Sequence, residues 1–205
     1  MIFGEDLRAR ASAHLAALDR RALPPAGRRP AAVALVLLPD DRGRPCFLIT
    51  RRAKTLRAHA GQWALPGGRI EEGESPQHAV RRELEEEIGL ALGEDSILGL
   101  LDDYATRSGF VITPVVLWAE RADGLAANPA EVASIHRVPL AELDLPGVPR
   151  FITIPESDRP VIQVPLLGSL VHAPTAAVVY QMREVVLHGR FTRVDHLEQP
   201  VWAWR

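Results

Sequence analysis

Apolar side chains recur at helical spacing over residues 5–23. Leu7, Ala11, Leu15 and Leu18 share one face, and arginines occupy the other. Pro24 and Pro25 stop this helix, and residues 26–30 read as a short linker. Two strand-like runs follow at 31–38 and 46–52, separated by the turn Asp40-Asp41-Arg42-Gly43. Trp63-Ala64-Leu65 is a short extended piece that ends at Pro66-Gly67-Gly68. A second helix over 76–88 has strong boundary signals: Ser75 suits the N-cap, Pro76 the first helical position, and Gly89 a left-handed C-terminal residue. Further strands are expected at 97–101, 111–119, 132–138 and 161–164, then a last helix over 175–187 ending at Gly189. Strands and helices alternate irregularly, which points to an α/β (α+β) sandwich rather than a doubly wound sheet.

The helix over 76–88 carries the chemistry. Val80, Leu84 and Ile88 form an apolar stripe for burial against a sheet, and Glu83, Glu86 and Glu87 project at i, i+3 and i+4 beside it. Glu83 and Glu87 are like charges one turn apart, an arrangement that destabilises an isolated helix. Two readings stand at this point. The carboxylates are solvated and pair with Arg81 and Arg82, or they hold a hard divalent cation, which takes oxygen ligands and works with substrate phosphates.

Composition narrows the classes. A chain of 205 residues with 47% hydrophobic and 24% charged residues suits one globular domain, divided here as an N-terminal helix (1–25), a core (30–187) and a tail (190–205). The net charge of −2 gives no overall basic footprint, so no nucleic-acid partner is expected. Cys46 is the single cysteine and sits in an apolar run, so it reads as a buried structural thiol and the compartment as a reducing cytoplasm. The longest apolar stretch, 31–38, falls well short of the ~20 residues of a spanning helix, and the first residues lack the apolar core of a secretory signal; no membrane association is expected. The amphipathic first helix is expected to pack on the domain.

The spacing around the glutamates is specific. Gly68, five residues, Glu74, seven residues, and then Arg82-Glu83-Leu84, Glu86-Glu87 and Gly89-Leu90 fill the fixed positions of the Nudix signature. The chain therefore resembles Nudix hydrolases. That resemblance implies a mixed β-sheet sandwiched between helices and cleavage of a diphosphate linked to another group, with Mg²⁺ or Mn²⁺. It also implies that Glu83 and Glu87 are central metal ligands, that Glu86 is a further ligand or orients water, and that Gly67 adds its backbone carbonyl. Glu74 and Arg82 match positions that hold the glutamates in place. Glu83 is one candidate for the general base, and Glu131, on the loop before a later strand, is the other.

A second pattern lies upstream. Thr50, Arg52, Arg57, Gly61, Pro66, Gly67 and Gly68 resemble the extra signature of the coenzyme A pyrophosphatase subgroup. Ala53, Trp63, Leu65 and His172 depart from that subgroup's pattern on the substrate side. Thr106-Arg107-Ser108-Gly109-Phe110, Glu131-Val132 and Pro174-Thr175-Ala176 extend the likeness. The resemblance implies a small-molecule nucleotide substrate, with coenzyme A or an acyl-CoA leading and ADP-ribose, NADH or an oxidised nucleotide as rivals. A Nudix domain retained only as a ligand-sensing module is the alternative of another class. Arg52 and Arg57 suit phosphate oxygens, which guanidinium groups bind with two parallel bonds; Gly68 lets the substrate approach. Tyr104 and Phe110 are candidates to stack on a base, with core packing as the plain alternative. His59 and His172 could equally contact ligand or serve structure. The apolar tail over 191–205, with Trp202 and Trp204, offers a surface for the domain or for a second copy, and a homodimer is the expectation.

Overall fold

The computed structural model describes residues 2–55 and 60–203. Three α-helices and eleven strands are present among them: α1 (Glu5–Ala17), β1 (Arg29–Pro39), β2 (Pro45–Arg52), β3 (Trp63–Ala64), β4 (Gly67–Arg69), α2 (Pro76–Ile88), β5 (Ile97–Leu100), β6 (Tyr104–Ala105), β7 (Phe110–Trp118), β8 (Val132–Pro139), β9 (Arg150–Ile154), β10 (Ser157–Leu166), β11 (Ser169–His172) and α3 (Thr175–Met182), which continues as a wider π turn over Arg183–Leu187.

The central sheet runs β3-β2-β1-β7-β5, with β8 also on β2, β4 on β1 and β6 on β7. It is mixed: β1 and β7 pair in parallel, with Ala32 opposite Thr113, and the other pairings are antiparallel. Period-two alternation along β1 and β2 supplies both faces. Leu35, Leu37, Phe47 and Ile49 face one core with α1 and α3, while Ala34, Val36, Cys46 and Leu48 face the other with α2. Neither face of the sheet is left to solvent, which explains why these strands read as continuous apolar runs. A separate three-stranded sheet, β11-β10-β9, closes over the first core and contributes Ile162, Val164 and Val171 to it.

Helix α2 forms as its boundary residues dictate. The Ser75 Oγ accepts the His78 N–H at 3.1 Å, Pro76 opens the helix, and Gly89 closes it at φ 68°. Val80, Leu84 and Ile88 are fully buried against the sheet. Helix α1 is shorter than its periodicity predicts. It stops at Ala17, and Asp102 and Asp103 then take the Arg21 and Leu23 N–H groups at 2.8 Å each. Those acceptors lie about eighty residues away in sequence and outcompete continued helix. The predicted strand at 161–164 is the buried centre of a longer one, and β9 and β11 beside it have no counterpart among the predicted elements. Among the described residues no helix is long and apolar enough to cross a membrane.

Candidate active site

A cavity of about 600 Å³ opens where β1, β3, β4 and α2 meet the β11–α3 corner. Glu83, Glu87 and Glu131 reach it with Arg51, Arg52, Gly67 and Gly68. The sheet explains the convergence. Gly67 and Gly68 of β4 pair with Val33 and Ala32 of β1, so the glycines sit directly under the carboxylates of α2. A Cβ on Gly67 would lie 2.2 Å from the Ala32 carbonyl oxygen, and one on Gly68 would lie 2.1 Å from Glu83 Oε1. Glycine is required at both positions by close approach, at Gly67 to backbone and at Gly68 to a functional group.

The electrostatics are uneven along α2. Arg82 is the organiser: its Nε and Nη2 hold Glu74 at 3.0 and 3.2 Å, and its Nη1 donates to Glu83 Oε1 at 2.9 Å and to Glu86 Oε2 at 3.2 Å. The hydrogen bonds from Arg82 bring Glu74 down to about 2, so this pair is charged throughout the physiological range. Glu87 is the opposite case. It is 4% exposed, its side chain accepts the Gly67 N–H at 3.2 Å, and burial, with the Glu83 charge second, pushes it up to about 8. Burial also raises Glu83. The charge of Glu131 raises both, so the three carboxylates sense one another. Arg52 favours the ionised form of Glu87, and its Nε is buried without a hydrogen-bond partner.

Glu86 sits apart from its two neighbours. Its side chain is 55% exposed and turned onto Arg82, away from the cavity lining. Among the described residues no three acidic, imidazole or thiol side chains converge tightly enough to hold a metal as they stand. The donor set nonetheless fits a hard divalent ion. Glu83 and Glu87 offer carboxylate oxygens from one helical face, and Glu87 is a buried acid whose ionisation the Gly67 N–H and Arg52 compensate only in part. Glu131 is fixed by its backbone: its carbonyl accepts the Ala53 N–H at 2.8 Å and its N–H donates to Asn128 at 3.0 Å. Arg57 and His59 lie outside the described residues.

On the opposite wall, sequence reasoning named His172 as a candidate ligand contact and Trp202 as part of an apolar tail, but not Leu170, Val178 or Gln199. Leu170, Val178 and Gln199 line that wall, together with His172 and Trp202, whose rings meet edge to face with centroids 5.3 Å apart. These residues come from β11, α3 and the last described segment, which chain order alone does not bring together. Trp63 also lines the cavity, with its Nε1 buried and unpartnered and the Arg51 guanidinium 5.2 Å from its ring centre. Tyr104 is buried, and Phe110 carries the Arg29 guanidinium 4.2 Å over its ring.

Gly68→Ala tests the close approach directly. The Cβ would strike the mobile end of Glu83 rather than backbone, so the melting temperature should change by less than about 4 °C, equivalent to about 1 kcal/mol or less. The displaced carboxylate should nevertheless cost about a hundredfold in turnover of any substrate this site processes. Thermal melting and steady-state kinetics on the same preparation check both halves.

A mixed sheet packed between helices, with a glycine pair beneath an acidic helix, defines a class of fold, and the comparisons identify it. The NUDIX domain family model matches residues 27–162, more than half of the chain. The chain belongs to that family. It is 41% identical over 111 residues to an uncharacterized Nudix hydrolase NudL of Photorhabdus laumondii, a match covering 53% of this chain and 59% of the relative. The uncharacterized Nudix hydrolase NudL of Citrobacter koseri is 36% identical over 116 residues, covering 56% and 59%. The chain thus spans less than two thirds of the length of these curated relatives. Among solved structures, a MutT/nudix family protein from Enterococcus faecalis superposes with a TM-score of 0.56 at 15% identity, over 76% of this chain and 60% of that one. This likeness concerns the fold, and it agrees with the mixed-sheet sandwich expected from sequence.

Proposed function

We propose that this chain is a metal-dependent hydrolase of phosphoanhydride bonds, acting on a small nucleoside-diphosphate-linked substrate with Mg²⁺ or Mn²⁺. The observation that carries the reading is the pair Glu83 and Glu87 on the cavity wall above Gly67 and Gly68, with the unpaired Arg52 Nε beside them. Glu83 and Glu87 would hold the ion, with Gly67 supplying its carbonyl and Glu86 swinging in or orienting water. The bound ion would neutralise charge on the diphosphate and lower the pKa of a bound water. Arg52 then pairs a phosphate oxygen, and Arg57 is proposed to do the same. Arg82 holds Glu83 and Glu86 in register through its bonds to Glu74, which makes it a positioning residue. Glu131 or Glu83 accepts the proton from water.

Coenzyme A or an acyl-CoA, cut to 3′,5′-ADP and a 4′-phosphopantetheine species, is the substrate we place first. It is favoured by the upstream Thr50, Arg52, Gly61 and Pro66-Gly67-Gly68 pattern, whose members Arg52, Gly61, Gly67 and Gly68 line the cavity. ADP-ribose is the second reading. It is favoured by Trp63 and His172, departures from the subgroup pattern that both line the same cavity. Product chromatography on coenzyme A, ADP-ribose, NADH and 8-oxo-dGTP, each with Mg²⁺ and with Mn²⁺, separates these. The expected result is a kcat/KM for coenzyme A at least about tenfold above the others, a difference of about 1.4 kcal/mol in transition-state binding. A preference for ADP-ribose would overturn the coenzyme A assignment and leave the hydrolase reading intact. Absence of product from every substrate would overturn the hydrolase reading in favour of a ligand-sensing module.

A further inference from the structure

Much of the cavity wall opposite the glutamates, including His172, Val178, Gln199 and Trp202, comes from beyond the segment that the family model matches. Residues 194–203 return across the domain as a strap, and its polar groups are clasped from two sides. From the β6–β7 hairpin, the Tyr104 hydroxyl donates to the Leu197 carbonyl at 2.9 Å, the Arg107 N–H donates to Gln199 Oε1 at 2.6 Å, and the Arg107 guanidinium donates to Glu198 at 2.5 and 3.2 Å. From β10, the Ser157 hydroxyl donates to Glu198 at 3.0 Å, and the Arg159 guanidinium donates to the carbonyls of Asp195, His196 and Leu197. The Glu198 N–H in turn donates to the Pro160 carbonyl at 2.8 Å. Glu198 is only 2% exposed, and a carboxylate is buried to that degree only when paired. The strap therefore has one position, set by a buried charge.

That position puts Gln199 and Trp202 on the cavity. Trp202 remains 53% exposed beside the pocket, with its ring at 84° to that of His172 and the centroids 5.3 Å apart, so much of a large aromatic surface is uncovered there. The other aromatic rings at the cavity are engaged by neighbours: Trp63 packs against the Arg51 guanidinium and the His136 ring. Tyr104 is buried and anchors the strap, and Phe110 is covered by Arg29. The groups around Trp202 decide between ligand types. An alkyl chain would need a wholly apolar sleeve, whereas this wall is partly polar: it carries the His172 imidazole beside Gln163, the Gln199 amide held by Arg107, and the Thr106 and Ser108 hydroxyls bonded to one another. A flat heteroaromatic ring with hydrogen-bonding edges uses both kinds of contact. Strand spacing gives the reach. Gly68 is level with Thr113 through Ala32, two strand spacings away, and Phe110, also on the cavity wall, lies three residues further along β7, so it is roughly 14 Å from Gly68.

We propose that the strap is the specificity element of this site, with Trp202 as the ring on which the base of the nucleoside half stacks and Arg107 as the positioning residue that holds the strap through Glu198. This rests on the reading of the substrate as a nucleoside-diphosphate derivative. It assigns the base to the strap wall and the phosphates to Arg52 and the glutamates.

Titration calorimetry of the full chain in Mg²⁺, with AMP and with ribose 5-phosphate, tests it without turnover. The two ligands share the sugar phosphate and differ by the base. Wild type should bind AMP about tenfold more tightly, the factor expected of one stacked base. Trp202→Ala should erase that preference and leave ribose 5-phosphate unchanged, while Trp202→Phe keeps most of it. Arg107→Ala should reproduce the loss, because the strap is then unlatched. An unaltered AMP preference in Trp202→Ala, or equal weakening of both ligands, would overturn the proposal. So would a wild-type protein that does not distinguish the two. Glu83→Gln kinetics report separately: hydrolysis that survives that change removes the hydrolase reading and leaves the stacking result standing.

Discussion

Glu87→Gln and Glu83→Gln should each lower kcat with Mg²⁺ by about a thousandfold or more while the protein stays folded. The size follows from the role proposed for these side chains. A divalent ion at a diphosphate supplies several kcal/mol of transition-state stabilisation, and each 1.36 kcal/mol is tenfold in rate. Gln keeps the shape of Glu and one carbonyl oxygen but removes the charge, so the ion loses its anchor and the fold does not. The two changes should not behave identically. Glu83 lies on the Gly68 backbone and accepts from Arg82; an amide oxygen can keep that bond, but the lost charge leaves the guanidinium less neutralised beside the ion's place. Glu87 accepts the Gly67 N–H, which an amide oxygen still receives. Raising Mg²⁺ into the tens of millimolar should therefore rescue part of the Glu87→Gln loss and less of the Glu83→Gln loss. Glu86→Gln is the internal comparison. Its side chain is exposed and rests on Arg82 outside the cavity lining, so a loss of about tenfold is expected there. Kinetics across a Mg²⁺ titration check the ranking, and a Glu87→Gln enzyme with wild-type kcat would remove Glu87 from the metal site.

The acidic helix was legible in the sequence because each of its signals is local. The Ser75 cap, Pro76, Gly89 and the Val80, Leu84 and Ile88 stripe are all read within fifteen residues and act on the same element. The glycine pair was legible as part of the same pattern, but its close approach to Glu83 was not: sequence suggested a carbonyl ligand at Gly67 and room for substrate at Gly68. What sequence did not show is what depends on distant partners. Nothing within residues 18–23 announces that Asp102 and Asp103 will take two of their N–H groups, so the helical period runs on past the true end of α1. Strand β9 is mostly exposed along its length and lacks the alternation that marks a half-buried strand. The strap is the extreme case. Its residues Glu198, Gln199 and Trp202 look like a polar and aromatic tail until Arg107 and Ser157 are brought to them by the fold. The half of the site that would carry the reaction was thus readable, and the half that would choose the substrate was readable only in part, through Arg52, Phe110 and His172 but not through the strap.

With metal removed by chelator, Glu87→Gln should be more stable than the wild type at pH 8.5, and the gap should close as pH falls toward 4.5. Glu87 has an ordinary value of 4.5 and is pushed up to about 8 in the folded chain, chiefly by burial and then by Glu83. Below pH 4.5 the acid is protonated in both folded and unfolded chains and contributes nothing. Between about 4.5 and 8 the unfolded chain has released the proton and the folded chain retains it, so folding takes up a proton and stability declines as pH rises. Above pH 8 both forms are ionised, and the folded chain carries the whole cost of a buried charge, on the order of a few kcal/mol. The glutamine variant has no such charge and also relieves Glu83 of its neighbour, so its own stability should vary less over this range. Adding Mg²⁺ should reverse the order at high pH, since the cation compensates the wild-type carboxylate and has less to bind in the variant. Thermal denaturation followed by circular dichroism from pH 4.5 to 8.5, with chelator and with Mg²⁺, gives both comparisons. A stability gap that does not change with pH would mean that Glu87 is charged throughout and already compensated in the free protein. The pH dependence would then be no guide to this carboxylate, and the Mg²⁺ titration of Glu87→Gln alone would decide whether it holds the ion.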